Sequence, residues 1–231
     1  MNQQLTTAII LKRTDYGEAD RILTVLTPDH GKLRLMAKGV RRVKSKLAGG
    51  IELFSVSHIT YIPGRGEIGT LVSTRLDKHY GTIVKDIERV QLGYELIKQL
   101  DRNTEDEVEP EYFNLLAESF EALDDIQVPL ITTKLWFFAR LLRLGGHEPN
   151  LQTDTAGQRL DAAKAYNFDI EAMTFTVHAS GRYKAADIKF LRLLFGPARP
   201  QVLGKVIDAA VHVNRLQPLV LSMSQQYIQT R

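Results

Sequence analysis

Apolar and polar residues alternate in short runs through the first 80 positions, which is the pattern of β-strands. Five runs are predicted as strands, at 8–11, 22–26, 32–38, 51–61 and 68–75. Turn signals separate several of them, such as the Pro-Asp-His-Gly sequence at 28–31 and the Pro-Gly-Arg-Gly sequence at 63–66. Short strands joined by tight turns over about 75 residues predict a small β-barrel.

The predicted strand at 32–38 has two faces of different chemistry. One face is apolar and consists of Leu33, Leu35 and Ala37. The other face carries three cations and one methionine, namely Lys32, Arg34, Lys38 and Met36. Because side chains alternate between the two faces of a strand, this strand can bury one face and present positive charge on the other.

Beyond Asp77 the apolar positions recur every three or four residues, as they do on one face of an amphipathic helix. Helices are predicted at 83–97, 110–123, 128–144, 185–195 and 202–213, and the tail from Leu216 is predicted to be helical. An acidic linker at 101–109 separates the first two helices. The change of period near residue 80 predicts a boundary between a β-rich and a helical region.

Residues 150–181 follow neither period and are predicted to be irregular, with short strands at 166–168 and 173–177. The whole pattern predicts an α+β protein with two domains. The first is a β-barrel at 1–80, and the second is a mostly helical domain at 81–231 that contains the irregular insert.

The net charge of +3 hides an uneven distribution. Residues 1–80 hold 13 Lys and Arg against 7 Asp and Glu, whereas residues 81–150 hold 7 against 14. The stretch 32–46 has no acidic residue and seven cations: Lys32, Arg34, Lys38, Arg41, Arg42, Lys44 and Lys46. One interpretation is a solvated surface that keeps the protein in solution. Because so many like charges repel one another without a counter-charge, a binding surface for a polyanion is favoured.

The chain contains no cysteine, which excludes a disulfide framework, a thiol nucleophile, an iron–sulfur cluster and a cysteine-based zinc finger. No apolar run approaches the roughly 18–20 residues of a membrane span. The first apolar run, at 8–11, is too short for a signal peptide and has no basic segment before it. These features predict a soluble, cytoplasmic protein that makes no membrane contact.

No motif predicts a catalytic centre or a metal site. The G-x-G-x-x-G match at 64–69 precedes strand-forming residues rather than the helix of a dinucleotide site, so it is interpreted as a hairpin turn. Asp15, Glu18 and Asp20 could bind Mg²⁺, but basic residues on both sides favour surface ion pairs. The sequence has neither a P-loop nor a nucleophile elbow. We therefore expect a protein that is not an enzyme and that needs no cofactor.

Aromatic residues are sparse in the basic region. Residues 1–80 contain four of them, namely Tyr16, Phe54, Tyr61 and Tyr80. Since base stacking needs several exposed rings, contacts to phosphates should dominate, which predicts weak sequence preference and steep salt dependence. For Tyr16 and Tyr61 a core role is favoured over exposed stacking, because small barrels need large side chains.

The predicted helix at 128–144 is apolar around its whole circumference, so it is interpreted as the core helix of the second domain. The alternative is that part of it lines a groove for an apolar peptide with acidic residues. The candidate residues of that groove are Lys134, Trp136, Arg140 and Arg143.

Five segments form a specific set within the first 80 residues. They are D-Y-G-E-A-D-R at 15–21, H-G-K at 30–32, A-K-G-V-R-R at 37–42, S-K-L-A-G-G at 45–50 and P-G-R-G at 63–66. In order and spacing they resemble the bacterial RecO family of DNA repair and recombination mediators. The resemblance implies an N-terminal OB-fold followed by a helical domain, which agrees with the barrel-then-helices pattern.

The resemblance also implies binding to single- and double-stranded DNA and annealing of complementary strands without ATP. It implies partnership with RecR and contact with the acidic, apolar-ended tail of single-stranded DNA-binding protein, so that RecA can load. A location at the nucleoid accompanies that role. The residues assigned to DNA are the seven cations of 32–46 and Arg65, and the weaker candidates are Lys12, Arg13 and Arg21.

The resemblance fades beyond residue 80. Residues 141–148 are similar to the family segment that precedes a zinc-binding loop with two C-x-x-C pairs. The corresponding stretches, around 153–156 and 176–181, contain no cysteine. We therefore expect no zinc, and we expect polar and apolar packing to order the insert. The tail at 215–231 departs from the usual basic, Tyr- and Leu-rich ending.

Three other functions compete with this interpretation. An OB-fold can bind structured RNA as well as DNA, so the fold alone does not separate the two. A nuclease would use Asp15, Glu18 and Asp20 with Mg²⁺. An adaptor would bind protein partners through the helical domain, and its basic stretch would be incidental.

Overall fold

The computed structural model describes residues 2–106 and 109–228, so Glu107 of the acidic linker and Arg231 of the tail lie outside it. The chain forms two compact units, Met1–Asp125 and Ile126–Arg231. Within the described ranges, no helix is both long enough and apolar enough to cross a lipid bilayer.

The first unit is built around a closed barrel of five strands. They are β1 (Gln4–Tyr16), β2 (Asp20–Thr27), β3 (Gly31–Ala37), β4 (Ser55–Ile62) and β5 (Ile68–His79). The strands pair in the order β1-β2-β3-β5-β4, and β4 pairs again with β1. Neighbouring strands are antiparallel except β3 and β5, which run parallel. This five-stranded closed barrel is OB-like, so the predicted barrel is confirmed.

The core of the barrel follows from the alternation along its strands. Apolar residues from every strand meet inside it, including Ile10, Val25, Leu35, Ile59 and Leu71. The two-faced character of β3 is also confirmed, since Leu35 and Ala37 are buried while Arg34 is exposed. The barrel therefore holds its polar strand faces toward solvent in a fixed register.

The fourth strand begins later than predicted. β4 starts at Ser55, and the residues just before it bend instead of pairing. Phe54 has a left-handed φ of 55°, which is incompatible with a regular strand. Its buried ring meets Tyr94 and Phe120 edge-on, with ring centroids 5.4 and 5.5 Å apart. Tertiary packing of this ring accompanies the local break, which the apolar pattern of 51–61 does not reveal.

Two helices complete the first unit, α1 (Ile87–Arg102) and α2 (Pro110–Asp124). α1 begins later than the predicted start at 83, because Ile83–Lys85 form a short 3₁₀ helix. The Asp86 carboxylate then caps α1 by accepting the N–H groups of Glu88 and Arg89.

The predicted boundary at residue 80 coincides with the end of the barrel, whereas the first compact unit extends to Asp125. Contacts between the barrel and α2 account for the difference. Lys78 Nζ lies 2.6 Å from a Glu121 carboxylate oxygen, and the buried rings of Tyr80 and Phe120 are in edge-to-face contact. The helices α1 and α2 therefore pack with the barrel as one unit.

The second unit contains the remaining elements. They are α3 (Leu130–Leu144), β6 (Tyr166–Asp169), β7 (Thr174–Val177), α4 (Ala185–Phe195), α5 (Pro200–Leu203) and α6 (Ala209–Tyr227). The interpretation of 128–144 as a core helix is confirmed, since Leu135, Trp136 and Phe137 are all nearly inaccessible. At the start of α4 the buried Asp187 accepts hydrogen bonds from the Lys184 N–H and from Arg215.

The single helix predicted at 202–213 is wrong. α5 ends at Leu203 and α6 begins at Ala209, and Asp208 before it has a left-handed φ of 57°. Leu203 is buried, whereas Ile207 is 85% exposed. The apolar residues of this stretch therefore do not share one helical face.

Hydrogen bonds and aromatic packing order the insert at 150–181. The buried Asp154 accepts the N–H groups of Ala156 and Gln158, each at 2.9 Å. The Thr174 hydroxyl donates to the Thr153 carbonyl at 2.7 Å. The Phe175 ring makes edge-to-face contacts with three other rings in or beside the insert, namely Tyr166, Phe168 and Tyr183. The Thr153–Thr174 hydrogen bond joins the first of the two stretches compared with the zinc-binding loop to β7, which leads into the second.

Candidate nucleic-acid interface

The basic turn (residues 38–46) leaves the barrel at the end of β3 and is fixed to the β1–β2 hairpin. The Gly39 N–H donates to Asp20 Oδ1 at 2.7 Å, and the Arg41 N–H donates to the Ala19 carbonyl at 2.9 Å. Gly39 has a φ of 67°, a conformation that glycine adopts without steric cost. A sharp, anchored change of direction therefore follows β3 directly.

The side chain of Arg41 strengthens this anchor. Its guanidinium donates to the Gly17 carbonyl at 3.3 Å and lies 3.6 Å from Asp15. Asp15 is held more tightly by Arg21, whose Nε donates to it at 2.7 Å. The Arg21 hydrogen bond and the positive charges of Arg41, Arg21 and Arg13 lower the pKa of the Asp15 carboxyl. Asp15 therefore remains ionised at neutral pH and balances part of the charge of Arg41.

The far end of the basic turn is attached to β5. The Thr74 hydroxyl donates to the Leu47 carbonyl at 3.1 Å. Gly50 packs so closely on Thr74 that a Cβ at position 50 would lie 2.4 Å from the Thr74 Cβ. Ala48–Gly50 form a 3₁₀ helix beside this contact. Both ends of the basic turn are thus tied to the barrel, which limits the orientations of the cations between them.

Four cations of the basic turn project into solvent without an acidic partner among the described residues. They are Lys38, Arg42, Lys44 and Lys46. Val43 at the centre of the turn is fully exposed. Because the described residues place no carboxylate against these four charges, the turn is a site of uncompensated positive potential.

Lys32 does not share this exposure, which corrects its assignment to the DNA-binding face. Its side chain is only 11% exposed. The ammonium group donates to the Asp101 carbonyl at 2.9 Å, to the Asp101 carboxylate at 3.3 Å and to the Thr104 carbonyl at 2.7 Å. These three acceptors near the end of α1 use the full donor capacity of the amine. Lys32 therefore supports the fold rather than an external anion.

Arg34 and Arg65 extend the positive surface toward the β4–β5 turn. Arg34 lies 3.1 Å from the Glu67 carboxylate, and both side chains are well exposed. A surface pair of this kind contributes little stability, so a phosphate can replace Glu67 beside Arg34. Arg65 is exposed and has no acidic partner within the described part of the chain. Arg34 also lines a cleft of about 370 Å³ at the β3–β5 seam.

The three weaker candidates differ in their surroundings. Arg13 pairs with Glu52 at 3.0 Å, and Arg21 pairs with Asp15. Lys12 is exposed, and no carboxylate of the described residues pairs with it. Only Lys12 thus resembles the cations of the basic turn.

Two of the three carboxylates considered for Mg²⁺ have other roles, and the third, Glu18, is exposed. Asp15 is bound by two arginines, and Asp20 accepts the Gly39 N–H. In the described ranges, no group of three or more His, Cys, Asp or Glu side chains is arranged to hold a metal ion. The geometry therefore favours a supporting role for Asp15 and Asp20 over metal-dependent cleavage.

The candidate peptide groove on α3 is also corrected. Trp136 is 1% exposed, and its indole N–H donates to the Ala198 carbonyl at 2.7 Å. Arg140 and Arg143 donate to the carbonyls of Gly196 and Phe195, where α4 ends. Cations at this position satisfy helix-end carbonyls and complement the helix dipole. Lys134 is half-buried on the same helix, with its ammonium 6.0 Å from the centre of the Phe138 ring.

Two exposed residues were not predicted as part of this surface. Tyr16 is 55% exposed at the end of β1, contrary to the expected core role, whereas Tyr61 is buried as expected. Arg75 is exposed on β5, one residue after the Thr74 that holds the basic turn. The sequence could have indicated Arg75, because a charged residue in a predicted strand is expected to face solvent. The exposure of Tyr16 depends on where the β1–β2 hairpin ends, which the alternating pattern does not show.

Comparison with known proteins agrees with this architecture. The family model described as "Recombination protein O N terminal" matches residues 1–79. The DNA repair protein RecO of Dehalococcoides mccartyi is 34% identical over 64% of this chain, and that of Moorella thermoacetica is 32% identical over 65%. The RecO protein of Trichodesmium erythraeum is 28% identical over 97% of this chain and 80% of its own length.

The chain spans 58% and 56% of the lengths of the Dehalococcoides and Moorella relatives in these matches. The match to the family's N-terminal domain covers the barrel and the basic turn and ends at the last residue of β5. The chain therefore carries a domain that matches the N-terminal domain of recombination protein O, and over most of its length it is similar to DNA repair proteins named RecO.

Proposed function

We propose that this protein is a DNA-binding recombination mediator that acts in DNA repair without catalysing a covalent reaction. The observation that carries the proposal is the anchored basic turn, in which Lys38, Arg42, Lys44 and Lys46 are exposed without acidic partners in the described residues. Cations fixed in this way neutralise phosphates and release condensed counterions, which favours binding to any DNA sequence. Both single- and double-stranded DNA present such phosphates.

The same charge provides a mechanism for strand annealing. Two complementary strands repel each other through their phosphates, so their encounter is slow at low salt. A strand whose phosphates are partly neutralised by the basic turn repels its complement less, and the bases can pair. Since pairing itself releases free energy, the reaction needs no ATP.

The proposed biological setting comes from the similarity to RecO proteins. We expect the chain to act with RecR and to bind the acidic, apolar-ended tail of single-stranded DNA-binding protein, which would bring it to coated strands. Loading of RecA onto those strands would follow at the nucleoid. The burial of Trp136 removes that ring from the candidate surface for the tail.

Charge reversal in the basic turn tests the DNA-binding part of the proposal. Arg41 is left unchanged because it also holds the hairpin. The variant K38E/R42E/K44E should bind single strands and duplexes of every sequence more weakly, and its slope of log Kd against log salt should fall by about 2–3. Fluorescence anisotropy with labelled strands of about 20 nucleotides, across about 50–300 mM salt, gives both quantities.

The matched control reverses three exposed lysines elsewhere, in the variant K98E/K164E/K189E. Both variants have the same net charge. A loss of DNA affinity that is confined to K38E/R42E/K44E therefore depends on the position of the charges rather than on their total. Unchanged binding by K38E/R42E/K44E at moderate salt would contradict the proposed interface. A strong preference for RNA over DNA of matched sequence would instead favour an RNA-binding module.

A further inference from the structure

Tyr16 is the one exposed aromatic ring of Phe, Tyr or Trp in the described part of the barrel. It is 55% exposed, whereas Phe54, Tyr61 and Tyr80 are each at most 3% exposed. Tyr16 makes no aromatic contact and no hydrogen bond through its hydroxyl with any other described residue. A ring held in water without a partner contributes little to the fold and is accessible to a ligand.

The ring is attached at the point where the basic turn is anchored. Tyr16 pairs directly with Asp20 across the β1–β2 hairpin, so their Cβ atoms lie about 5 Å apart. Asp20 accepts the N–H of Gly39, the second residue of the basic turn. Arg41 donates to the carbonyl of Gly17, the residue next to Tyr16. Two separate hydrogen bonds thus hold the hairpin that carries the ring beside the basic turn that carries the cations.

The strand that carries Tyr16 also presents a cation on the same face. The pairing of β1 with β2 is regular from Lys12 to Tyr16. Because side chains alternate between the two faces of a strand, residues 12, 14 and 16 lie on one face and residues 13 and 15 on the other. Lys12 is exposed and, among the described residues, has no acidic partner. A bound strand therefore meets positive charge from both the basic turn and Lys12 beside the Tyr16 ring.

We propose that Tyr16 stacks on an unpaired nucleobase of the strand whose phosphates the basic turn binds. The inference rests on the proposed function and names the feature that distinguishes single-stranded DNA from duplex. An exposed ring can stack on any base, since every base has a π-face, but bases inside a duplex are already stacked on their neighbours. Tyr16 therefore adds affinity for single strands without adding sequence preference.

The test compares two ligands with equal phosphates. One is an oligothymidine of about 15 nucleotides, and the other is an abasic strand of the same length, since stacking requires a base and phosphate binding does not. The wild-type protein should bind the oligothymidine about tenfold more tightly than the abasic strand. Y16A should bind both strands equally, and the salt slope for each should match that of the wild type.

Two further variants separate stacking from a structural effect. Y16F keeps the ring and should retain the preference, whereas Y16L keeps apolar bulk without a π-face and should lose it. L5A removes an exposed apolar side chain at the other end of β1 and should behave like the wild type. Circular dichroism should give Y16A and the wild type the same melting temperature.

Several results would overturn the inference. One is a Y16A protein that keeps the wild-type preference for the oligothymidine, and another is an equal loss of duplex affinity in Y16A. A wild type that binds both strands alike with a steep salt slope would overturn the role of Tyr16 and leave the basic-turn proposal intact. A wild type that binds no DNA at low salt would overturn both.

Discussion

Lys32 and Lys38 belong to the same alternating pattern at the residue scale but occupy different environments. The Lys32 side chain is 11% exposed and donates to three oxygens near the end of α1. Lys38 is exposed and has no acidic partner in the described residues. Since an alternating pattern fixes only the side of the strand on which a residue lies, it cannot tell which cation meets a neighbouring helix.

Alanine substitution should separate these two roles. K32A leaves carbonyl and carboxylate acceptors of Asp101 and Thr104 without their cation, so the free energy of unfolding should fall by about 1–3 kcal/mol. K38A removes no hydrogen bond or ion pair to another described residue and should change this free energy by less than about 0.5 kcal/mol. Chemical denaturation followed by circular dichroism measures both values.

The order of the two variants should be reversed for DNA binding, since K38A should affect it and K32A should not. K38A should lower the salt slope by about 1, while K32A should leave it unchanged. If K32A proved as stable as K38A and lowered the slope equally, Lys32 would have to leave its helix-end acceptors and contact DNA.

The basic turn shows at the element scale how acidic residues can support a cationic surface. Asp20 accepts the Gly39 N–H, and Asp15 holds Arg41 together with Arg21. These contacts restrict the turn before DNA arrives, and a restricted turn loses less conformational entropy on binding. An acidic residue in this hairpin can therefore increase affinity for an anion.

Removal of the Asp20 carboxylate tests this idea, because its charge and its anchoring role predict opposite changes in DNA affinity. If only charge mattered, D20A would bind DNA more tightly than the wild type. Because Asp20 anchors the basic turn, D20A should instead bind about three- to tenfold more weakly, consistent with the loss of one charge-assisted hydrogen bond. Anisotropy at constant salt measures the change.

Two companion variants complete the comparison. E18A removes an equal charge from an exposed residue of the same hairpin and should bind DNA at least as tightly as the wild type. D20N keeps an acceptor for the Gly39 N–H and should retain most of the affinity. Stronger binding by D20A than by E18A would show that the anchor is irrelevant.

The elements of the barrel follow from the sequence because each strand carries its own alternation and is bounded by turn residues. The break before β4 does not, because the left-handed Phe54 packs against rings 40 and 66 positions away in the sequence. The supports of the basic turn are equally non-local, since Asp20 and Thr74 hold atoms 19 and 27 residues away. Composition therefore predicts which segment is cationic, but not what orients it.

In the second unit, the sequence pattern predicted a ligand site where the side chains have structural roles. Its groove was predicted from apolar and basic residues of one helix, yet Trp136 is buried and Arg140 and Arg143 hold the carbonyls at the end of α4. Basic residues beside an apolar helix satisfy helix ends as readily as they attract a ligand. Only the position of the neighbouring helix separates these two roles.

At the scale of the whole molecule, the net charge of +3 is a poor guide to DNA binding. Acidic residues concentrated at 81–150 offset the basic first region in the sum, but they do not pair with the exposed cations of the basic turn within the described ranges. Since salt screens exposed charges within about 10 Å at 0.1 M, a strand responds to this local potential more than to the total.

The proposed annealing of complementary strands can be tested at the scale of the whole molecule. The annealing rates with and without protein should change in opposite directions as salt is added. Without protein, added salt screens the repulsion between two strands and should accelerate annealing. With protein, added salt weakens the binding that neutralises the phosphates and should slow annealing. The two rate curves should therefore have opposite slopes and converge at high salt. Dye- and quencher-labelled strands, mixed without nucleotide across a salt series, measure both curves.

The variants of the basic turn should decide whether this acceleration arises from the proposed surface. K38E/R42E/K44E should follow the protein-free curve at every salt concentration, whereas K98E/K164E/K189E, with the same net charge, should follow the wild type. Acceleration by both variants would assign annealing to another surface, and no acceleration by the wild type at low salt would contradict the annealing mechanism. An acceleration that grows with salt would also contradict it, because phosphate neutralisation by bound cations can only weaken as salt rises.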